Sequence, residues 1–167
     1  MSETDEMLAH AGAHAAERAT PELGSRPRRR VAVLSCMDAR IDVYALLGLQ
    51  PGDAHVIRNA GGLVSDDALR SLSASQRLLG TEEVMVIMHE GCGMLGASDE
   101  QFAAVLAADG AEPAWTLGGF QDLDEALHAG LERLRSAPEL VSRAHIRGFV
   151  YDPSTGGLRE VGPAPLG

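Results

Sequence analysis

Short, nearly continuous apolar runs alternate along this chain with longer stretches whose apolar positions recur every three or four residues. Val31 to Ser35 (VAVLS), His55 to Arg58 (HVIR) and Val84 to Met88 (VMVIM) read as strands, the first and last apolar enough to be covered on both faces. Between the first two, Asp42 to Leu47 reads as a helix closed by Gly48, with Pro51-Gly52 as a turn. Ser65 or Asp66 then caps a helix to about Leu79, with Leu69, Leu72, Gln76 and Leu79 on one face, and Gly80 ends it. A helix from Ser98 to about Ala108 places Phe102, Val105 and Leu106 together, and residues 110–119 read as loop. Asp122 to Leu134 carries the apolar stripe Leu123, Ala126, Leu127, Leu131 and Leu134. HIRGFVYD (145–152) and LREV (158–161) flank a Pro-Ser-Thr-Gly-Gly turn and read as a strand and an edge strand.

Strands alternating with helices predict the α/β class, a mainly parallel sheet with helices on both faces. Residues 2 to about 19 predict a further helix, capped by Ser2, acidic in its first turn and rich in alanine. Alanine buries little surface, so this helix is expected to lie loosely or across a partner subunit. Residues 1–27 thus form an arm and connector, and 28–167 one α/β domain.

The formal charge of -10, from 14 Lys and Arg against 24 Asp and Glu, argues against nucleic acid, whose phosphates call for a basic surface. Arg28, Arg29 and Arg30 make a basic spot beside a strand, read as solvated or as an interface contact. No apolar stretch reaches the roughly 20 residues of a membrane span, and the amino terminus is acidic where a secretory signal is basic, so the expected compartment is the cytoplasm.

Both cysteines of the chain sit in polar clusters directly after strand-like runs: Cys36 with Asp38 and Arg40 in VLSCMDAR, and Cys92 with His89 in MHEGCG. In an open α/β sheet, ligands bind beyond the carboxyl ends of the strands, so neighbouring first and third strands bring these residues to one edge. Two thiolates and an imidazole are three ligands for zinc, leaving the fourth position for water or for Asp38, which Arg40 competes to hold by a bidentate ion pair. Zinc lowers the pKa of a bound water from 15.7 to about 7. The alternatives are a Cys36–Cys92 disulfide, or two inert buried cysteines beside a satisfied histidine.

CxDxR after the first strand, RNAGG after the second and HxxCG after the third resemble the β-class carbonic anhydrases. The likeness extends through CMDARIDVYALLGL, GDAHVIRNAGG and DDALRSLSASQRLLG and covers roughly Val31 to Val161. The resemblance implies a zinc enzyme, homodimeric or larger, that interconverts carbon dioxide and bicarbonate through a zinc-bound hydroxide. By that resemblance Cys36, His89 and Cys92 are zinc ligands, Asp38 a switchable fourth ligand, and Asp38 with Arg40 a catalytic dyad. It leaves open a zinc hydrolase of carbonyl sulfide or carbon disulfide, and an inactive homologue in which Asp38 closes the metal.

One position departs from the family pattern: Glu90 follows His89 where threonine or serine is usual, adding negative charge beside an anion site. His55 is a proton shuttle only if it faces the site. Met85, Met88 and Met94 read as core filler, and RNAGG lacks the pattern of a nucleotide-binding loop.

Overall fold

The computed structural model describes residues 2–17 and 23–162. Its core is a five-stranded sheet in the order β2-β1-β3-β4-β5, built from β1 (Val31–Cys36), β2 (Ala54–Asn59), β3 (Glu83–His89), β4 (Ile146–Asp152) and β5 (Gly157–Val161). The first four strands are parallel, and β5 folds back antiparallel on β4 through the turn after Asp152, as its turn residues predicted.

Helices α2 (Val43–Leu47), α3 (Asp66–Arg77), α4 (Asp99–Ala108) and α5 (Leu123–Ser136) begin at Asp42, Ser65, Ser98 and Asp122, whose side chains each accept a first-turn N–H. Gly48 ends α2 in the left-handed conformation, φ 61°. Arg77 ends α3 earlier than expected, leaving Leu78 exposed, and α5 runs two residues further than expected, to Ser136.

Register fixes which side chains share a face. His55, Ala32, Val84 and Ile146 form one row across the sheet, and His55 meets Ser75 of α3. Gly148 lies two residues beyond Ile146, where a Cβ would stand 2.7 Å from Leu131 and 3.2 Å from Leu127 of α5. Both α3 and α5 therefore pack on this one face, burying Leu72, Leu127, Leu131 and Leu134. Burial of the fully enclosed leucines contributes about 2 kcal/mol apiece before entropy is counted. The other face is buried at Val33, Ser35 and Ile87.

Two predicted helices stand apart from this core. α4 has no buried residue: Val105 is 60% exposed, and Phe102 instead meets Trp115 at 6.2 Å between ring centres. α1 (Glu3–Glu17) is a helix as expected, with Met7 and Leu8 in solvent; its expected end at residue 19 lies outside the described residues.

Candidate metal centre

Because β1 and β3 are adjacent and parallel, their carboxyl ends reach the same sheet edge. Cys36 is the last residue of β1, His89 the last of β3, and the turn after β3 returns Cys92. Gly91 takes φ 62° in that turn, a conformation glycine adopts without strain. The Sγ atoms of Cys36 and Cys92 and a ring nitrogen of His89 all lie within 4.8 Å of one another, and all three residues are buried. The sulfurs are 4.0 Å apart, about twice a covalent S–S bond, so both cysteines are free thiols.

His89 is oriented for ligation. Its Nδ1–H donates to the carbonyl of Glu90 at 3.0 Å, which leaves the Nε2 lone pair pointing into the cluster. Nε2 is buried without a hydrogen-bond partner, an arrangement costing about 1–3 kcal/mol unless something else binds there. Burial pushes the Cys92 thiol up; a hydrogen bond from the Met94 backbone opposes this, and Cys36 adds to the rise. A cation among these three groups would satisfy Nε2 and stabilise both thiolates together, and the donor set of two sulfurs and one imidazole nitrogen suits zinc.

Asp38 faces the cluster, its Oδ2 3.8 Å from His89 Nε2. Arg40 holds that carboxylate three ways: Nη2 donates to Oδ2 at 2.7 Å, and Nε and the backbone N–H each donate to Oδ1 at 2.9 Å. These bonds, the side chain's first and the backbone's second, hold the Asp38 carboxyl far below the usual range. Arg40 Nη2 also donates to the Gly91 carbonyl at 3.0 Å and so ties the two ligand loops together.

The RNAGG segment, in the sequence a strand end and one of the three family motifs, without a nucleotide-binding pattern, supports the first of those loops. Arg58 donates from Nε to the Cys36 carbonyl at 2.9 Å and from Nη2 to the Asp38 carbonyl at 2.7 Å. The Asn59 carbonyl accepts the Met37 N–H at 2.8 Å. Gly62, at φ 66°, lies so close that a Cβ would stand 2.9 Å from the Ile87 carbonyl oxygen and 3.0 Å from the Cys36 nitrogen.

The other residues singled out in the sequence fall elsewhere. His55 lies near the amino ends of the strands, opposite the cluster, with Nδ1 2.7 Å from Ser75 Oγ and Nε2 3.3 Å from the Ser25 carbonyl, so it is no shuttle for this site. Met88 and Met94 are buried in the core and Met85 packs against it. Arg28 and Arg29 meet Asp53, and Arg30 meets Glu82. Glu90 is half exposed, 3.7 Å from Arg159, which also holds Asp124 at 2.6 Å. Among the described residues no helix is long and apolar enough to cross a membrane.

The sequence profile of the carbonic anhydrase family matches residues 31–116. β-Carbonic anhydrase 1 of Mycobacterium tuberculosis is 43% identical over 164 residues, covering 98% of this chain and all of that one. A carbon disulfide hydrolase of an Acidianus species is 36% identical over 157 residues, covering 79% of this chain and 77% of its own. Among solved structures, a carbonic anhydrase from Streptococcus mutans superposes with a TM-score of 0.89 at 37% identity, covering 97% of this chain and 99% of that one.

Proposed function

This chain belongs to the β-class carbonic anhydrase family, and from that membership we propose that it hydrates carbon dioxide reversibly to bicarbonate, with one zinc ion held by Cys36, His89 and Cys92. The observation that carries the reading is His89: its Nδ1 is committed to the Glu90 carbonyl, and its buried Nε2 has no hydrogen-bond partner among the two thiols.

Zinc on this donor set supplies a hydroxide nucleophile near neutral pH and a positive charge against which a carbonate-like product is stabilised. The chain's own part is orientation. Ionised Asp38 can only accept hydrogen bonds, so it would accept one from a hydroxyl held at the cluster and thereby turn that oxygen's lone pair toward the substrate. Arg40 keeps Asp38 ionised and fixes its rotamer, while its bond to Gly91 keeps the Cys92 loop in step with the Cys36 loop. Half of the Arg40 side chain is in solvent, so these bonds serve alignment more than stability. The same carboxylate could instead serve as a fourth ligand beside Cys36, His89 and Cys92, which would leave no position for the hydroxyl.

Hydrolysis of carbon disulfide is the second reading, favoured by the 36% identical hydrolase. Both reactions would need a hydroxide nucleophile against a linear triatomic substrate, and the ligand set does not separate them. Purified zinc-loaded protein assayed for carbon dioxide hydration beside carbon disulfide and carbonyl sulfide hydrolysis decides. Turnover of the sulfur substrates with none of carbon dioxide would replace the first reading with the second, and no turnover of any would leave a zinc-binding homologue closed by Asp38.

The exposed apolar side chains of α1, Met7 and Leu8, support a homodimer or larger assembly in which this helix lies across a partner subunit. Residues 1–27 are then the arm and 28–167 the catalytic domain.

A further inference from the structure

The ligand loop from Cys36 to Asp38 leaves the sheet at the end of β1, where the Met37 N–H still donates to the Asn59 carbonyl at 2.8 Å and the register with β2 ends. Its position sets how far the Asp38 carboxylate stands from His89 Nε2, now 3.8 Å, and hence whether Asp38 binds a metal there or stays beside it. A zinc–carboxylate bond is about 2.0–2.2 Å, so the backbone position of Asp38 bears directly on that outcome.

Arg58 holds this loop from below. Register places it beside Ser35, the residue before Cys36, and its planar fork donates to the carbonyls on either side of Met37. Two parallel donors on one rigid group fix the Cys36 carbonyl relative to the Asp38 carbonyl, which one ammonium cannot do. The Asp38 carbonyl also accepts from the Ile41 N–H, at 3.1 Å, so loss of Arg58 need not unfold the turn. What it releases is the relation between a metal ligand and its neighbour. Arg40 grips only the carboxylate end of Asp38; Arg58 grips the backbone end.

We propose that Arg58 is a positioning residue for the Asp38–Arg40 pair: by clamping the carbonyls of Cys36 and Asp38 it sets the separation of the Asp38 carboxylate from the metal, and so whether that carboxylate orients the nucleophile or replaces it. This rests on the zinc reading and adds to it a residue that touches neither metal nor substrate.

The test uses full-length protein with cobalt(II) in place of zinc, because cobalt's visible bands report coordination without any substrate. Wild type, Arg58→Ala and Arg58→Lys are compared for cobalt bound per chain, visible spectrum, and kcat and KM with zinc restored. Expected for Arg58→Ala is one cobalt per chain with altered band positions, and a kcat lower by about tenfold or more at nearly unchanged KM, the scale at which groups behind metal ligands act. Arg58→Lys, with a single point donor, should show the altered bands with a smaller loss of kcat. A wild-type spectrum and kcat in Arg58→Ala overturns the proposal; should that variant not fold, a wild-type spectrum and kcat in Arg58→Lys overturns it equally. Failure of the wild type to bind cobalt would instead sink the zinc reading, and is recognisable because no variant is involved.

Discussion

Oδ2 of Asp38 lies 3.8 Å from Nε2 of His89, close enough for both to reach one ion's surroundings and too far for a hydrogen bond between them. Arg40, with three donors on the same carboxylate, is what holds Asp38 at that distance. Replacing Arg40 by alanine should therefore keep stoichiometric zinc while lowering kcat by about 10- to 100-fold, the range for groups that orient a metal site. Asp38→Ala should also keep zinc and lose most turnover. Metal analysis beside stopped-flow hydration assays checks both; full activity in Arg40→Ala would remove the pair from the mechanism.

Zinc should act as part of the fold. Cys36 is enclosed at 4% exposure, and ligands brought from two strands convert binding energy into folding energy. At free metal 100 times its dissociation constant that increment is about 2.7 kcal/mol, or roughly 5–10 °C in Tm for a chain this size. A strong chelator should lower the wild-type Tm by this amount. Cys36→Ser should contain no zinc and show no such shift, and a chelator-sensitive Tm in that variant would mean the metal is held elsewhere.

How much of this site the chain reveals in one dimension depends on which atoms do the work. Cys36, His89 and Cys92 are legible because metal ligands are a few residue types, and because strand ends are where an α/β sheet collects them. Arg58 and Gly62 are not. Their partners are main-chain atoms of Cys36, Asp38 and Ile87, which every residue carries, so RNAGG is recognisable as a motif but its bonds are not until register brings β2 beside β1. The α5 stripe is buried at all but the half-buried Ala126, and the α3 stripe at Leu72 and Gln76, with Leu69 half-buried and Leu79 past the helix end, whereas the similar pattern of α4 buries nothing. Periodicity states that a helix has an apolar face and says nothing of whether the chain supplies something to cover it.

Acid should weaken the fold through Asp53, away from the metal. The Gln50 N–H, then Arg28, hold this buried carboxyl below its ordinary value, with Arg28 Nη2 at 2.8 Å. A depressed carboxyl contributes stability in full above its unfolded pKa, about 3.9, and loses it as pH falls toward the folded value. Asp53→Asn should accordingly be less stable than wild type at pH 7, with the difference shrinking below about pH 4. Urea midpoints from pH 7 down to 3 measure this, and a gap that stays constant with pH would assign the loss to packing instead of charge.

Glu90 offers a way to separate charge from architecture in the ligand loop. Its peptide does the structural work: the N–H donates to the Tyr151 carbonyl at 2.9 Å, and its own carbonyl accepts from His89 Nδ1. Neither bond involves the side chain, whose ion pair among the described residues spans 3.7 Å with both partners about half exposed, so Glu90→Thr should cost less than about 1 kcal/mol. What the substitution does remove is a negative charge one residue from a metal ligand. Bicarbonate is an anion and carbon dioxide is neutral, so bicarbonate should bind a few-fold more tightly while kcat/KM for carbon dioxide hydration stays unchanged. By the fixed overall equilibrium, kcat for dehydration must then fall together with its KM. Product inhibition of hydration by bicarbonate at constant ionic strength reads the first quantity directly. An unchanged inhibition constant would mean that the Glu90 charge is screened by Arg159 and solvent before it reaches the site, leaving the departure from threonine without consequence for the reaction.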